Sequence, residues 1–206
     1  STRFARDQRW GQFYAVGGGW IISKENFLRG SDVISNLKLR GSYGETGNNR
    51  TNSYFPYSQD YAAGLDWANL TSSGLNATAL VDRFITWEKQ ATTNIGLDFG
   101  FFKNRITGSI EYYKRASKDL IMGTALPPSG GMGFSEITTN IGAMENTGFE
   151  INLNTVNFRN DNFEWTTNIN VGTNKNKITK LNGAENIISG MNILEVGTDR
   201  YEFYTW

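Results

Sequence analysis

Four carboxylates stand where paired-acid chemistry could be built: Asp98 and Glu111 on one candidate hairpin, Glu150 and Glu164 on a second. Two carboxyl groups flanking a glycosidic bond, one as acid and one as nucleophile or base, are the core of a glycosidase. In the strand pairing derived below, Asp98 faces Ser109 and Glu111 faces Gly96, which leaves the first two acids diagonal. Lining of a polar surface is the simpler use of all four, together with Asn152. Ser129-Gly130-Gly131-Met132-Gly133 is glycine-rich like a phosphate loop, but no Lys-Ser/Thr ending and no helical pattern follow it, so it reads as a loop tip. Asn160-Asp161-Asn162 offers oxygens to calcium at the wrong spacing, and these are ordinary turn residues. With 0 His and 0 Cys, the chain has no thiolate nucleophile, Ser-His-Asp triad or His-built metal centre. No catalytic residue, metal ligand or cofactor is expected.

The elements that position these groups follow from composition and period. Lys and Arg number 20 against 20 Asp and Glu, so the basic excess of a nucleic-acid binder is missing. No run approaches the roughly 18 apolar residues of a spanning helix, while aromatics reach 14% and Gly numbers 23. Together with abundant Asn and Thr, this suits strands and turns, and the chain is read as all-β. No basic, then apolar, then small-residue segment opens it, so Ser1 reads as an internal cut.

From Ala91 to Arg115 the period is two. Thr93, Ile95, Leu97, Phe99 and Phe101 alternate with polar or small residues, and after Lys103-Asn104 the phase resumes at Ile106, Gly108, Ile110 and Tyr112. A two-residue loop at Lys103-Asn104 pairs Phe101 with Ile106, Phe99 with Gly108, Leu97 with Ile110 and Ile95 with Tyr112, so every apolar residue meets its own face. Phe99 would then cover the bare backbone of Gly108. A second unit sets Phe149, Ile151 and Leu153 against Trp165, Thr167, Ile169 and Val171. Both sets are odd-numbered, so in-phase pairing needs either a three-residue turn at Arg159, Asn160 and Asp161 or a bulge. Further strands are expected at Phe13 to Ile22 and Asn36 to Tyr43, with a short helical turn capped by Ser23 between them.

Turns near 103 and 160 are tight, whereas Gly44 to Thr86, Ile121 to Thr139 and Ile178 to Trp206 are long connections rich in Gly, Asn, Ser and Tyr. Outer-membrane barrels have this asymmetry, with short periplasmic turns and long extracellular loops. A soluble sandwich produces the same alternation with the apolar face turned inward, and periodicity leaves both open. Aromatics Trp10, Trp20, Phe101, Phe102, Tyr112, Tyr113 and Trp165 suit interfacial girdles in the first case and core packing in the second. The loop from Gly44 to Thr86 carries Tyr54, Phe55, Tyr57, Tyr61 and Trp67, whose rings either pack the loop on itself or stack on a ligand.

Ordered strings add a resemblance. Leu37-Lys38-Leu39-Arg40-Gly41-Ser42-Tyr43-Gly44-Glu45-Thr46-Gly47-Asn48 resembles a segment of SusC/RagA-type TonB-dependent outer-membrane transporters. So do Trp87-Glu88-Lys89 leading to Thr93-Asn94-Ile95-Gly96-Leu97-Asp98, and the run from Asn104 to Tyr113. Leu126-Pro127-Pro128, Asn140-Ile141-Gly142, Asn146-Thr147-Gly148-Phe149-Glu150 and Asn174-Lys175-Asn176-Lys177-Ile178 follow in the family's order. The resemblance implies an antiparallel meander forming the later part of a large plugged barrel. Residues 1–206 would be wall, with plug, TonB-contacting segment and terminal strand lying elsewhere. It implies import of oligosaccharides or peptides across the outer membrane of a Gram-negative bacterium, driven by TonB, with a SusD-like surface lipoprotein as partner and lipid around the wall. Asp98, Glu111, Glu150, Asn152 and Glu164 would face the lumen. The competing readings are a soluble β-sandwich carbohydrate-binding module and, third, an outer-membrane enzyme with acids in its lumen.

Overall fold

A computed structural model describes residues 1–51, 53–66, 73–126, 134–181, 186–189 and 191–203. Trp67, Pro127-Pro128, the loop tip 129–133 and Trp206 lie outside these residues. Among the described residues the chain is all-β apart from one 3-10 turn, Ile22–Lys24. Its strands are β1 (Ala15–Ile21), β2 (Ile34–Asn48), β3 (Tyr61–Asp66), β4 (Ser73–Ala77), β5 (Leu80–Val81) and β6 (Glu88–Phe101). There follow β7 (Ile106–Ala125), β8 (Glu136–Arg159), β9 (Glu164–Gly172), β10 (Lys175–Leu181), β11 (Asn186–Ser189) and β12 (Asn192–Glu195). The main sheet runs β1-β2-β6-β7-β8-β10, with β9 also on β8, and β3-β4 and β11-β12 are separate two-stranded hairpins.

The β6-β7 register is the one the alternation predicts: Phe101 with Ile106, Phe99 with Gly108, Leu97 with Ile110, Ile95 with Tyr112. At the turn, Lys103 (φ 56) and Asn104 (φ 64) are both left-handed, and the Arg105 N–H donates to Phe102 O at 3.3 Å. That is the primed turn whose twist matches a right-twisted hairpin. Phe102 is left-handed too (φ 53), and its N–H is held by Val33 O at 2.8 Å, so the residue just before β2 fixes a conformation that a bulky residue disfavours.

The second hairpin keeps its faces in phase by a bulge, the alternative to the three-residue turn. Val156 pairs with Thr166 and the next pair is Phe158 with Trp165, so Asn157 is the extra residue, and the loop spans four residues, Asn160 to Phe163. Asn160 Oδ1 accepts from the N–H groups of Asn162 (3.0 Å) and Phe163 (2.7 Å), an Asx turn that uses the oxygen a cation would need. Strands β9 and β10 continue one register along β8, interrupted at Thr173-Asn174. Counted together they complete six long strands.

Two expectations are corrected. The turn after β1 starts at Ile22 with Ile21 as its cap residue, and no side chain caps it, so Ser23 is inside the turn and not its cap. The long connections are partly strand: β2 runs to Asn48, β7 to Ala125 and β8 begins at Glu136, because the alternation continues through polar residues. The meander also carries one parallel pair, Leu80 with Ile137 and Val81 with Thr138, where the β2-β6 connection reaches across to the edge of β8. Asn140 ties that connection down: it accepts from the Thr86 N–H at 2.8 Å and donates to Thr86 O at 3.1 Å and Asp119 O at 2.6 Å. Thr139 bonds Asp82 beside it.

The sheet has no conventional core. Among the described residues the buried hydrophobics are Phe4, Ile85, Ile141 and Ile178. Phe4 packs with Trp87 (ring centroids 5.5 Å apart), which also meets Phe13 at 5.7 Å, so the first 14 residues close over the top of β2 and β6. The apolar face is left bare, with Ile95 52% and Ile169 47% exposed. A sandwich would have covered those residues with a second sheet. No helix among the described residues is long and apolar enough to cross a membrane, which bears on helices alone.

Candidate functional site

The register sorts the sheet into two unlike faces. One carries Trp20, Leu39, Leu97, Ile110, Ile151 and Val171 in one cross-strand band. Rows of aromatics bound it: Tyr14, Tyr43, Tyr112 and Phe149 towards the long connections, and Phe99, Phe101, Phe158 and Trp165 towards the tight turns. Tyr14 and Tyr43 have ring centroids 5.8 Å apart, Tyr112 and Phe149 5.1 Å, and Phe99 and Phe101 stack at 5.5 Å. Phe99 covers Gly108, where a Cβ would lie 2.7 Å from its Cζ and 2.3 Å from Asn152 O.

The other face is polar and joined laterally. Arg40 on β2 lies opposite Gly96 on β6, and a Cβ at Gly96 would meet the guanidinium carbon at 2.7 Å. Through this gap Arg40 Nε reaches Asp98 Oδ1 at 3.3 Å and Nη2 reaches Glu111 Oε2 on β7 at 2.6 Å. Charge-assisted bonds of this kind exceed neutral ones in strength. Glu111 is directly opposed by Glu150 in the β7-β8 register, and the cation beside it offsets that repulsion. Tyr113 repeats the device. A Cβ at Gly148 would lie 2.7 Å from its hydroxyl, which donates across that glycine to Thr173 O (3.4 Å) and Asn174 Oδ1 (3.1 Å). Asparagines complete the ladder: Asn152 donates to Ser109 at 3.3 Å, Asn170 to Asn168 at 2.8 Å, Asn176 to Asn146 at 2.8 Å, and Asn168 bonds Asn154.

Asp98, Glu111, Glu150, Asn152 and Glu164 therefore share this face, the first two diagonal as derived and both committed to one guanidinium. Glu164 stands at its rim, paired with Arg159 at 3.4 Å. An acid pair so neutralised is poorly suited to proton transfer. The periodicity placed these acids and missed Arg40, whose partner is 71 residues away. Beside them Asn94, Glu111, Tyr113, Arg115, Asn146, Glu150 and Asn174 line a recess of about 460 Å³, with donors and acceptors for a polar guest.

Of the loop aromatics, Tyr54, Phe55 and Tyr61 are exposed. Phe55 and Tyr57 meet edge-on at 6.4 Å, and the Arg3 guanidinium lies 4.8 Å over the Tyr54 ring. The loop thus packs partly on itself while keeping ring surface open.

A bare apolar band between aromatic rows, backed by a hydrogen-bonded polar face, is the build of a transmembrane β-barrel wall. The chain belongs to the TonB-dependent receptor β-barrel family: the family described as "TonB dependent receptor-like, beta-barrel" matches residues 2–202. It is 37% identical over 190 residues to the TonB-dependent receptor SusC of Bacteroides thetaiotaomicron, covering 90% of this chain and 19% of that protein. It is 33% identical over 204 residues to the TonB-dependent receptor P39 of Formosa agariphila, covering 99% of this chain and 19% of that one. The chain thus spans about a fifth of the length of these relatives. Structures of the RagAB peptide importer in its closed-closed and open-open states superpose with a TM-score of 0.83 at 28% identity, over 96% of this chain and 22% and 21% of those chains. TonB-dependent receptors are transporters, not enzymes.

Proposed function

We propose that this chain is part of the wall and mouth of an outer-membrane importer that takes up oligosaccharides or peptides in a Gram-negative bacterium. The observation that carries the reading is the division of one sheet into a bare apolar face and a cross-linked polar one. Lipid demands the first, and a wet lumen accommodates the second. Asp98, Glu111, Glu150, Asn152 and Glu164 line that lumen, and the long connections stand on the extracellular side. Tyr54, Phe55, Tyr57 and Tyr61 offer ring faces to sugar rings or peptide side chains, and Trp67 of the same loop is assigned the same role. A plug, a TonB-contacting segment and a SusD-like lipoprotein complete the transporter. The likeness to the RagAB peptide importer supports a peptide cargo, and the oligosaccharide reading rests on the sequence resemblance.

The test is fractionation followed by uptake. The native polypeptide is expected in isolated outer membranes at a denatured mass several times 23.1 kDa. Its deletion is expected to abolish uptake of a labelled oligosaccharide or oligopeptide. Recovery from the soluble fraction at about the mass of this chain, or unchanged uptake of every cargo of both classes, would overturn the reading.

A further inference from the structure

Beyond the aromatic pair of Tyr112 and Phe149, the apolar face changes character. The register carries it first through Lys114, Thr147 and Lys175, next through Ala116, Glu145 and Lys177, and then through Lys89 and Lys118. All five lysines are exposed. Lys114 is paired with Glu145 (Nζ to Oε2, 2.9 Å), and the other acid of this face, Glu45, accepts the Tyr43 hydroxyl at 2.7 Å. Among the described residues Lys89, Lys118, Lys175 and Lys177 have no ion-pair partner. Lys89 and Lys118 are direct cross-strand neighbours, and like charges so opposed destabilise an antiparallel pair. An anion held between them would reverse that sign. At the opposite end of the face the last paired positions are Phe101, Ile106, Thr155 and Trp165, which carry no cation.

We propose that this cluster binds the phosphate groups of the outer-leaflet glycolipid, with one phosphate between Lys89 and Lys118 and a second at Lys175 and Lys177. The inference rests on the reading above, in which the apolar face meets lipid and the long connections lie at the cell surface. Under that reading the lysines stand at the depth where headgroups begin, and basic side chains there attract anionic headgroups. Glu145, held by Lys114, separates the two pairs.

The experiment uses the full-length receptor, delipidated after extraction from outer membranes. Binding is measured by native mass spectrometry with bis-phosphorylated lipid A, with the same lipid dephosphorylated, and with inorganic phosphate as competitor. The wild-type receptor is expected to hold the phosphorylated lipid on the order of tenfold more tightly than the dephosphorylated one. The variant K89Q/K118Q/K175Q/K177Q is expected to lose that margin, and the corresponding four-arginine variant to retain it. If the glutamine variant does not fold, the arginine variant and the lipid comparison on the wild type still decide. Equal affinity for the two lipids, no loss in a folded glutamine variant, or displacement by equimolar inorganic phosphate overturns the proposal. Recovery of the receptor outside the outer membrane is a distinct failure, because it removes the lipid-facing reading itself.

Discussion

Arg40 and Glu111 lie 71 residues apart in the chain and two strands apart in the sheet, yet Nη2 and Oε2 are 2.6 Å from each other. Gly96 makes the crossing possible, since any side chain there would occupy the path of the guanidinium. Replacing Gly96 by Val is therefore expected to expel Arg40 from both acids. Arg40→Met should cost about 1–2 kcal/mol, the pair being one-quarter to one-third exposed. In a double-mutant cycle with Glu111→Gln, measured by thermal unfolding of the receptor in detergent, the two changes should be non-additive by roughly 1 kcal/mol. Simple additivity would mean that the bridge is ornamental.

Gly108 is confined from two sides, by the Phe99 ring and by the Asn152 carbonyl. Gly108→Ala should destabilise by about 1–3 kcal/mol. Adding Phe99→Ala should not rescue it, because the nearer obstacle, at 2.3 Å from the added carbon, is backbone. Full rescue in the melting temperature would place the strain in the ring instead.

The two faces make opposite forecasts for adjacent residues. Ile110→Lys puts a charge in mid-band between Leu97 and Ile151 and should cost about 2–4 kcal/mol of insertion. Ser109→Lys, one residue earlier, brings the same charge opposite Asp98 and should be tolerated. Yield of heat-modifiable folded barrel in membranes measures both, and equal yields would contradict the assignment of faces.

Asn140 ties the β2-β6 connection to β8 through Thr86 and Asp119. Asn140→Ala should release the connection while the long strands hold. Proteolytic cleavage between Arg50 and Thr86 is expected to accelerate several-fold, with hydrogen exchange of β6 and β7 unchanged.

The loop aromatics are tested together. Changing Tyr54, Phe55, Tyr57, Tyr61 and Trp67 to Ala should lower cargo uptake by at least about tenfold, given the stacking worth of such rings. Unaltered uptake with an unaltered cleavage pattern would remove these residues from the binding surface.

The sequence by itself determined which residues share a face, the Lys103-Asn104 turn, the β6-β7 register and the cover of Gly108 by Phe99. Each is a local consequence of a period of two and a short turn, where a slip of one residue would send every apolar side chain to the wrong side. It also required that the second hairpin stay in phase, but the choice of a bulge at Asn157 was settled in the folded sheet. There Arg105 Nη2 donates to the carbonyls of Val156 (3.3 Å) and Asn157 (3.1 Å). The parallel β5-β8 pair, the bridge from Arg40 to Glu111 and the crossing of Tyr113 over Gly148 were decided by tertiary structure alone. They join residues whose neighbourhood depends on strand order and on a missing side chain in the strand between, which no local period encodes. The same reason explains the lysines: each is unremarkable in sequence, and only the register of four strands gathers them at one end of the apolar band.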